Sequence, residues 1–420
     1  MTSQLVSLPA VSTGACAVSA SQADIQKFWE NLKWLGWRRT GFIPRLRYAV
    51  WRWLPIPVAV SYAYLGLRQY GRGVKKEHGV GLSQQFRDLF IGHLSCRVTH
   101  HTFYLYQLYL ADRRRSLSRY LSFWQIFPMQ RYLTECAGAE HYSSLRSKHL
   151  FARRCSAVGL ASLPRVAEFA DGKRISCSPE GAATLPGVDL FSKPSESQCG
   201  NGANLWMCKA PGKYVNATSG EALGEEWLIQ KLCTESKSGR IVVQARVANH
   251  KSLVGTITTG ALSTVRIVTC RTPSGSTDLL PPVIRMPYGR AIVDNVAQGG
   301  LAAPVDITTG KICGPAIRKD KKLGLATVEE HPDTGIRFLG VQLPFWEDAL
   351  HLAVQAHSAF PSMHFVGWDI ALLPDGPVVL EGNPWWDSDV TLLPHRISLA
   401  DTQFIPYCNH HFRQAVAGQA

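Results

Sequence analysis

The sequence lacks the cysteine spacing of a disulfide framework or a structural zinc site. Its 11 cysteines are an odd number, and no two of them form a Cys-x-x-Cys pair, a spacing with which many zinc sites begin. It also has no Gly-Lys-Ser or Gly-Lys-Thr tripeptide, which excludes a Walker phosphate-binding loop. We therefore expect reduced thiols and no nucleotide site of the Walker type.

Long apolar runs and an N-terminal targeting pattern are also missing. The most apolar stretch, residues 48–67, contains Arg52, Pro55 and Pro57, whereas a membrane-spanning helix needs about 20 apolar residues without such interruptions. The first 23 residues contain no Lys or Arg, so the basic start of a signal peptide is absent. These features predict a cytoplasmic protein, with peripheral contact at the inner face of the cell membrane left open.

Acidic residues are scarce. The chain has 31 Asp and Glu against 45 Lys and Arg, a formal net charge of +14, which favours acidic partners. The excess is strongest in residues 27–76, where Glu30 is the only acid and aromatic residues are interleaved. Three interpretations stay open for this segment: a solvated helical subdomain, contact with an anionic membrane, and nucleic-acid binding, which is the least favoured.

Composition and pattern divide the chain into five parts. A hydrophobic content of 45% with 18% charged residues is typical of a globular protein. Residues 1–23 are expected to be disordered, 24–140 to form a helical basic N-terminal region, 141–247 and 248–400 to form the two parts of an α+β body, and 401–420 a C-terminal tail. Helices are predicted over 82–94, 103–109, 145–158, 224–232 and 346–360, and strands over 190–193, 241–247, 264–269, 283–286, 368–373 and 377–381.

The most informative segment is residues 367–383, which reads Gly-Trp-Asp-Ile-Ala-Leu-Leu-Pro-Asp-Gly-Pro-Val-Val-Leu-Glu-Gly-Asn. Pro-Asp-Gly between two apolar runs predicts a β-hairpin. A three-residue turn centred on Asp375 predicts three opposed pairs: Leu373 with Pro377, Asp369 with Glu381, and Gly367 with Asn383.

The opposed carboxylates of this hairpin indicate a metal site. Side chains at directly opposed positions lie about 5 Å apart, where like charges repel, and a Mg²⁺ ion bound through carboxylates and substrate phosphates removes the repulsion. Asn383 lies on the same face as Glu381 because strand side chains alternate. Asp369, Glu381 and Asn383 are therefore predicted ligands of one or two Mg²⁺ ions, with Mn²⁺ as a substitute. The alternative is an exposed hairpin whose acids face water.

The same hairpin resembles the metal-binding end of the ATP-grasp fold. The strings at residues 366–370 and 376–383, together with 264–269, 294–300 and 331–335, resemble the sugar-transfer-associated ATP-grasp family, in the glutamate-ligase-like branch of the superfamily. The resemblance runs from about residue 80 to about residue 395. It implies a lid domain and a C-terminal α+β body with ATP between them.

The resemblance also assigns residues to the nucleotide by position. Lys148 and Lys193 match the two lysines that reach its phosphates. A small polar loop follows Lys193, and its backbone N–H groups can approach phosphate oxygens; the matching positions are Ser195, Gly200 and Gly202. The hinge strand beside the adenine corresponds to Gln244, Ala245 and Val247.

Three further residues match the catalytic part of the family pattern. Arg285 resembles the arginine that steadies the transferring phosphate, which a guanidinium binds through two parallel hydrogen bonds. Arg266 corresponds either to a second arginine that holds the substrate carboxylate or to a structural ion pair. Asn295 lies in the segment that resembles the substrate-facing loop.

The activity that this resemblance implies is an ATP- and Mg²⁺-dependent carboxylate–amine ligase. Such an enzyme activates a carboxylate as an acyl phosphate, and the substrate here is expected to be an acidic small molecule or saccharide-linked compound in cell-envelope or polysaccharide biosynthesis. Two alternatives remain: a kinase that phosphorylates a hydroxyl with the same residues, and a non-catalytic membrane- or nucleic-acid-binding scaffold. Glu381→Gln or Asp369→Asn is expected to abolish turnover and leave the fold intact.

Overall fold

The computed structural model describes residues 19–39, 55–114, 117–177, 184–196, 202–289, 291, 294–296 and 299–418. The basic segment at residues 27–76 is therefore described in part, and Gly200 of the predicted phosphate loop lies outside the described residues. Over the described ranges, no helix is at once long enough and apolar enough to cross a bilayer.

The N-terminal region is helical where it is described, as the sequence predicts. Its helices are α1 (Gln22–Arg39), α2 (Pro55–Gly66), α3 (Arg72–His78), α4 (Leu82–Cys96), α5 (His100–Leu105), α6 (Ala111–Arg114) and α7 (Phe123–Cys136). The helix predicted over residues 103–109 is wrong in its extent, because α5 ends at Leu105 and Gln107 has a φ of 53°, which an α-helix does not allow. The aromatic residues of this run instead fill a core, in which Phe103 and Tyr104 are fully buried.

Two helices lead from this region to the first sheet, α8 (Ala139–Arg146) and α9 (Lys148–Ala157). The sequence predicts one helix over residues 145–158, but the structure divides it at Ser147, whose backbone is extended with φ −104° and ψ 115°. The Ser147 hydroxyl accepts a hydrogen bond from the backbone N–H of Leu150 at 3.5 Å, so α9 begins with its own N-cap. Lys148 is therefore the first residue of a helix.

The first sheet is antiparallel and has the order β2-β1-β7-β3-β4-β5-β6. Its strands are β1 (Arg165–Ala170), β2 (Lys173–Cys177), β3 (Leu190–Pro194), β4 (Asn204–Ala210), β5 (Lys213–Asn216), β6 (Ala222–Gly224) and β7 (Ile241–Ala245). Helix α10 (Glu225–Glu235) packs against it and buries Leu228 in one core with Phe169 and Trp206. Strand β7 ends two residues before the predicted limit at residue 247.

The second sheet carries the rest of the chain in the order β13-β12-β11-β10-β8-β14-β15, with β9 paired to β8. Its strands are β8 (Thr264–Arg271), β9 (Thr277–Leu279), β10 (Val283–Met286), β11 (Leu301–Pro304), β12 (Ala316–Asp320), β13 (Gly324–Val328), β14 (Phe365–Leu373) and β15 (Gly376–Asn383). The later helices are α11 (Trp346–Ser358), α12 (Ser388–Leu392) and α13 (Phe404–Ala417). Ile267 and Trp368 pack in one core with residues of α11. Val268 and Phe365 belong to another core, with residues of α7 and α13.

Both ends of the described chain pack against the second sheet and its helices. The backbone N–H of Ala20 donates to the carbonyl of Ala400 at 2.8 Å. Helix α13 buries Phe404, Cys408 and Phe412, which recur every four residues and form an apolar stripe. Residues 404–417 are thus a packed helix, unlike the tail expected from residue 401 onward. The two sheets occupy residues 165–245 and 264–383, and domain boundaries near residues 140 and 247 stay our proposal.

Candidate functional site

Charged side chains form a row across the second sheet. Arg266 on β8 is paired in register with Asp369 on β14, and Asp369 is paired with Glu381 on β15. Arg285 on β10 is paired with Thr264, two residues before Arg266. Since directly opposed and alternate residues share a face of a sheet, the strand register brings these five side chains to one side.

The hairpin register confirms two predicted pairs and corrects the third. Asp369 lies opposite Glu381 and Gly367 opposite Asn383, but Leu373 lies opposite Gly376. The turn therefore has two residues where three were predicted. An irregularity in the pairing between Asp369 and Ile370 absorbs the difference of one residue, as a β-bulge does, so the two carboxylates meet as expected.

Gly367 and Gly382 allow tryptophan side chains to pack closely against the backbone of this hairpin. A Cβ on Gly382 would lie 2.5 Å from Cζ3 of Trp368, and a Cβ on Gly367 would lie 2.6 Å from Cβ of Trp386. Buried tryptophan rings thus press against β14 and β15 from close range. The position beside Gly367 is thus filled by Trp386 and is not open for a ligand.

Asp369 is held by two arginines. Its Oδ1 accepts a hydrogen bond from Nε of Arg266 at 2.5 Å, and its Oδ2 lies 2.9 Å from Nη2 of Arg285. Burial alone raises the pKa of Asp369, but the two guanidinium groups outweigh it and lower the pKa to about 2. The carboxylate is therefore ionised at neutral pH, and Arg266 takes the ion-pair role that the sequence left as one of two alternatives.

The side chains of the predicted metal site converge. Nδ2 of Asn383 lies 3.4 Å from Oδ2 of Asp369 and 3.4 Å from Oε1 of Glu381. No group of three or more His, Cys, Asp or Glu suited to a metal ion occurs among the described residues, so any ion here depends on the asparagine amide and on ligand oxygens as well. Two carboxylates and an amide oxygen suit Mg²⁺, which completes its six ligands with phosphates and water. Because Nδ2 of Asn383 faces the carboxylates here, its amide would have to turn to offer its oxygen to an ion.

The two predicted phosphate lysines line the same cavity as Glu381 and are influenced by its charge. Lys148 starts α9, and its backbone N–H donates to the carbonyl of Ser195 at 3.0 Å, which ties that helix to the strand end that carries Lys193. Burial lowers the pKa of both lysines, that of Lys193 to about 8, while Glu381 opposes the shift. Both ammonium groups are thus positioned to neutralise an anion beside Glu381.

These side chains line a cavity of about 600 Å³ between the two sheets and α7, a size typical of small-molecule sites. Of the residues predicted from the sequence, the cavity brings together Lys148, Lys193, Arg266, Arg285, Asn295, Asp369, Glu381 and Asn383. Among the predicted nucleotide residues that the structure describes, those that do not line it are Ser195, Gly202, Gln244, Ala245 and Val247.

The residues outside the cavity have structural contacts. Ser195 is buried, and its hydroxyl accepts from the backbone N–H of His149 at 3.3 Å, at the start of α9. Nε2 of Gln244 donates to the carbonyl of Leu163 at 3.4 Å, and Val247 lies beyond the end of β7. In this arrangement the Ser195 hydroxyl caps a helix, and its assignment to a phosphate stays a prediction.

The sequence reasoning missed an acid in the cavity. Asp294 immediately precedes the predicted Asn295 and lines the cavity with it; its Oδ2 accepts a hydrogen bond from the Thr264 hydroxyl and lies 3.4 Å from Nη2 of Arg285. Burial raises the pKa of Asp294, and Arg285 opposes the shift. The Asp-Asn string was the available signal, but only the pairing of β8 with β10 shows that Arg285 lies between two carboxylates.

A set of apolar residues also lines the cavity. Phe151, Phe191 and Leu380 line it and are close in sequence to Lys148, Lys193 and Glu381. Four aromatic residues also line it, namely Phe123, Trp124, Phe127 and Trp385. The first three of the four lie on α7. No local pattern distinguishes them from core aromatics, because helix α7 meets the hairpin only through tertiary packing.

Comparison with known proteins places this geometry in context. The model of the sugar-transfer associated ATP-grasp family matches residues 129–402. Similar solved structures include the Bacillus anthracis D-alanine–D-alanine ligase (10% identity, 67% of this chain and 70% of that chain, TM-score 0.36). They also include the D-alanyl-alanine synthetase A of Vibrio cholerae O1 biovar eltor str. N16961 (9%, 67% and 68%, 0.38).

A third similar structure is the ADP complex of purK, an N5-carboxyaminoimidazole ribonucleotide synthetase, with 9% identity and a TM-score of 0.34. The match covers 60% of this chain and 48% of that chain, so the present chain spans about half of its length. No curated protein sequence matches this chain.

Proposed function

Because the chain belongs to the sugar-transfer associated ATP-grasp family, we propose that it is an ATP- and Mg²⁺-dependent ligase that joins a carboxylate to an amine. The observation that carries this proposal is the arrangement of the cavity. Lys193 of the first sheet and Lys148 at the start of α9 line the cavity together with Glu381, and two arginines hold Asp369 on the second sheet. This is the charge distribution that binding and transfer of a phosphoryl group require.

The roles of the residues follow from their positions. Lys148 and Lys193 neutralise the nucleotide phosphates, and Arg285 stabilises the transferring phosphoryl group. Arg266 keeps Asp369 ionised and fixed. A Mg²⁺ ion bound through Asp369, Glu381 and Asn383 would neutralise charge on the phosphates when present.

The reaction has two balanced steps. The γ-phosphoryl group passes from ATP to a carboxylate oxygen of the substrate, and ADP leaves. The amine nitrogen then attacks the acyl carbon, the phosphate leaves, and the nitrogen loses one proton to give an amide. No nucleophilic side chain is needed for either step, because the residues only position the reactants and stabilise charge. We place the substrate among acidic small molecules or saccharide-linked compounds of cell-envelope or polysaccharide biosynthesis.

Calorimetric titration with a non-hydrolysable ATP analogue tests the nucleotide and metal part of this proposal. We expect binding that requires Mg²⁺ and that is lost in Glu381→Ala, while Asp375→Ala, in the exposed turn of the same hairpin, keeps it. Absence of binding with and without Mg²⁺ would contradict the proposal and favour a non-catalytic scaffold. A stable phosphorylated product in place of an amide and free phosphate would identify a kinase.

We extend the proposal to a peripheral contact with an anionic membrane. Helix α2 has no charged residue, yet Ile56, Val60 and Tyr64 are 59%, 43% and 61% exposed. These residues are four positions apart and form one apolar stripe. Residues 55–97 also contain six Lys or Arg and two acids. An exposed apolar helix stripe in a basic part of the chain favours an interfacial position on anionic lipid.

A further inference from the structure

An aromatic wall forms one side of the cavity, next to the residues proposed for phosphoryl transfer. We use this name for Phe123, Trp124 and Phe127 of α7 and Trp385, which follows β15. Trp124 is 69% exposed, although a tryptophan side chain is usually largely buried. A large exposed ring in a cavity is typical of a ligand-binding surface.

The rings of the aromatic wall are in contact with one another. The ring centroids of Phe123 and Trp124 are 5.2 Å apart, those of Trp124 and Phe127 are 6.2 Å apart, and those of Phe127 and Trp385 are 5.4 Å apart. All three contacts are edge-to-face, a favourable aromatic geometry. The four residues therefore form one continuous apolar surface.

Hydrogen bonds fix this surface relative to the carboxylate hairpin. Oδ1 of the buried Asp389 accepts from the backbone N–H of Phe123 at 2.9 Å and from the hydroxyl of Tyr106 at 2.7 Å. Nε2 of Gln130, two turns further along α7, donates to the carbonyl of Trp386 at 3.3 Å. The start of α7 is thus anchored to the segment that follows β15, and the wall is preorganised.

Polar groups lie around the aromatic wall. The guanidinium carbon of Arg146 lies 5.2 Å from the ring centroid of Trp385, within the range of a cation–π contact. Arg146, Asn295 and Asp387 line the cavity with the wall. The surface therefore combines an apolar face with a cation, hydrogen-bond donors and hydrogen-bond acceptors.

We propose that the aromatic wall binds the pyranose ring of a sugar acid and directs its carboxylate toward Arg285. A pyranose ring has an apolar C–H face, which packs on aromatic rings, and hydroxyl groups at its edge, which pair with groups such as Asn295 and Asp387. In this arrangement the nucleotide base packs on Phe191 and Leu380, which are close in sequence to Lys193 and Glu381 and line the same cavity. The inference rests on the proposed ligase function and names its substrate class as uronic acids.

Binding of simple sugar acids to the full-length protein tests this inference. The probes are glucuronate and galacturonate, with glucose as the uncharged control and benzoate as the flat aromatic acid. Saturation-transfer NMR and calorimetry are carried out with and without the non-hydrolysable ATP analogue and Mg²⁺. We expect a uronate to bind more tightly than glucose or benzoate.

Two tryptophan variants locate the binding. Trp124→Ala is expected to weaken uronate binding on the order of tenfold, the effect of one lost stacking contact, and to leave the affinity for the ATP analogue unchanged. Trp227→Ala is the matched control, because Trp227 is 66% exposed but lies on α10 and not in the cavity. Circular dichroism and thermal melting show whether both variants are folded.

The outcomes separate this inference from the proposed function. Equal uronate affinity in wild type and Trp124→Ala, tighter binding of benzoate, or no uronate binding by a protein that binds the ATP analogue would overturn the sugar-acid subsite and leave the nucleotide site standing. Uronate binding that depends on Trp124 in a protein that does not bind the ATP analogue would support the subsite and refute the ligase.

Discussion

Replacing Asp369 with Asn tests whether the arginines at the site also stabilise the fold. The pKa of Asp369 is about 2 in the folded protein, because Arg266 and Arg285 outweigh the effect of burial. An unfolded Asp has a pKa of about 3.9, and one pKa unit corresponds to about 1.4 kcal/mol. The ionised side chain therefore contributes roughly 2–3 kcal/mol to the free energy of unfolding at neutral pH.

The arginines that lose their partner predict a larger loss of stability for the same substitution. Removing one member of a buried ion pair costs roughly 3–5 kcal/mol, because the remaining charge is left without its partner. Here two arginines would lose their shared carboxylate, although Arg285 keeps Asp294 within 3.4 Å. We expect Asp369→Asn to lower the free energy of unfolding by about 3 kcal/mol, where the two ranges meet. The amide of Asn still offers an oxygen to one guanidinium, which limits the loss.

The stabilisation by Asp369 should depend on pH in one direction. Its folded pKa lies below the unfolded one, so its contribution is fully present above about pH 5 and is lost as the pH falls toward 2. The difference in unfolding free energy between wild type and Asp369→Asn should therefore shrink on acidification.

Urea unfolding, followed by circular dichroism and by tryptophan fluorescence at neutral and acidic pH, measures this difference. Asp375→Asn, in the exposed turn of the same hairpin, is the matched control and should unfold like the wild type. An Asp369→Asn protein within about 0.5 kcal/mol of that control at neutral pH would refute the reasoning. Of the two variants expected to abolish turnover, Asp369→Asn should also destabilise the fold. Glu381→Gln is therefore the better test of turnover.

Three other predictions concern the lysine, the helix surface and the hairpin. Since the pKa of Lys193 is about 8, the affinity for the ATP analogue should fall as the pH rises through that value. Lys193→Met should bind the analogue weakly at every pH. A wild-type affinity that calorimetry finds independent of pH would contradict this prediction. Val60→Asp on α2 should reduce co-sedimentation of the protein with phosphatidylserine vesicles. Val254→Asp, at a similarly exposed position, should not. Equal co-sedimentation of the two variants would argue against the membrane contact. Gly382→Ala should lower the free energy of unfolding by roughly 1–3 kcal/mol through overpacking, and Gly81→Ala, where an added Cβ meets no atom within 4 Å, serves as the control in the same urea assay.

Four of the eight strands of the second sheet could be predicted from neighbouring residues alone. The strand at Val283–Met286 has the predicted limits, and the opposition of Asp369 to Glu381 was correct even though the turn was not. Apolar runs and a Pro-Asp-Gly turn specify a hairpin locally. The family resemblance likewise depended on motifs in their order along the chain, and the family model confirms it.

The sequence by itself thus determined the hairpin, six of the fifteen strands in the described residues and the family, because periodicity and turn chemistry are properties of adjacent residues. Only the tertiary structure decided that Ser147 divides a helix, that Arg266 binds Asp369, and that Trp124 of α7 lines the same cavity as Glu381. The contacts of Arg266 and Trp124 join residues that are far apart in the sequence. The break at Ser147 depends on the groups that contact the start of α9. They are set by the register of neighbouring strands and the burial of apolar surface in the whole molecule.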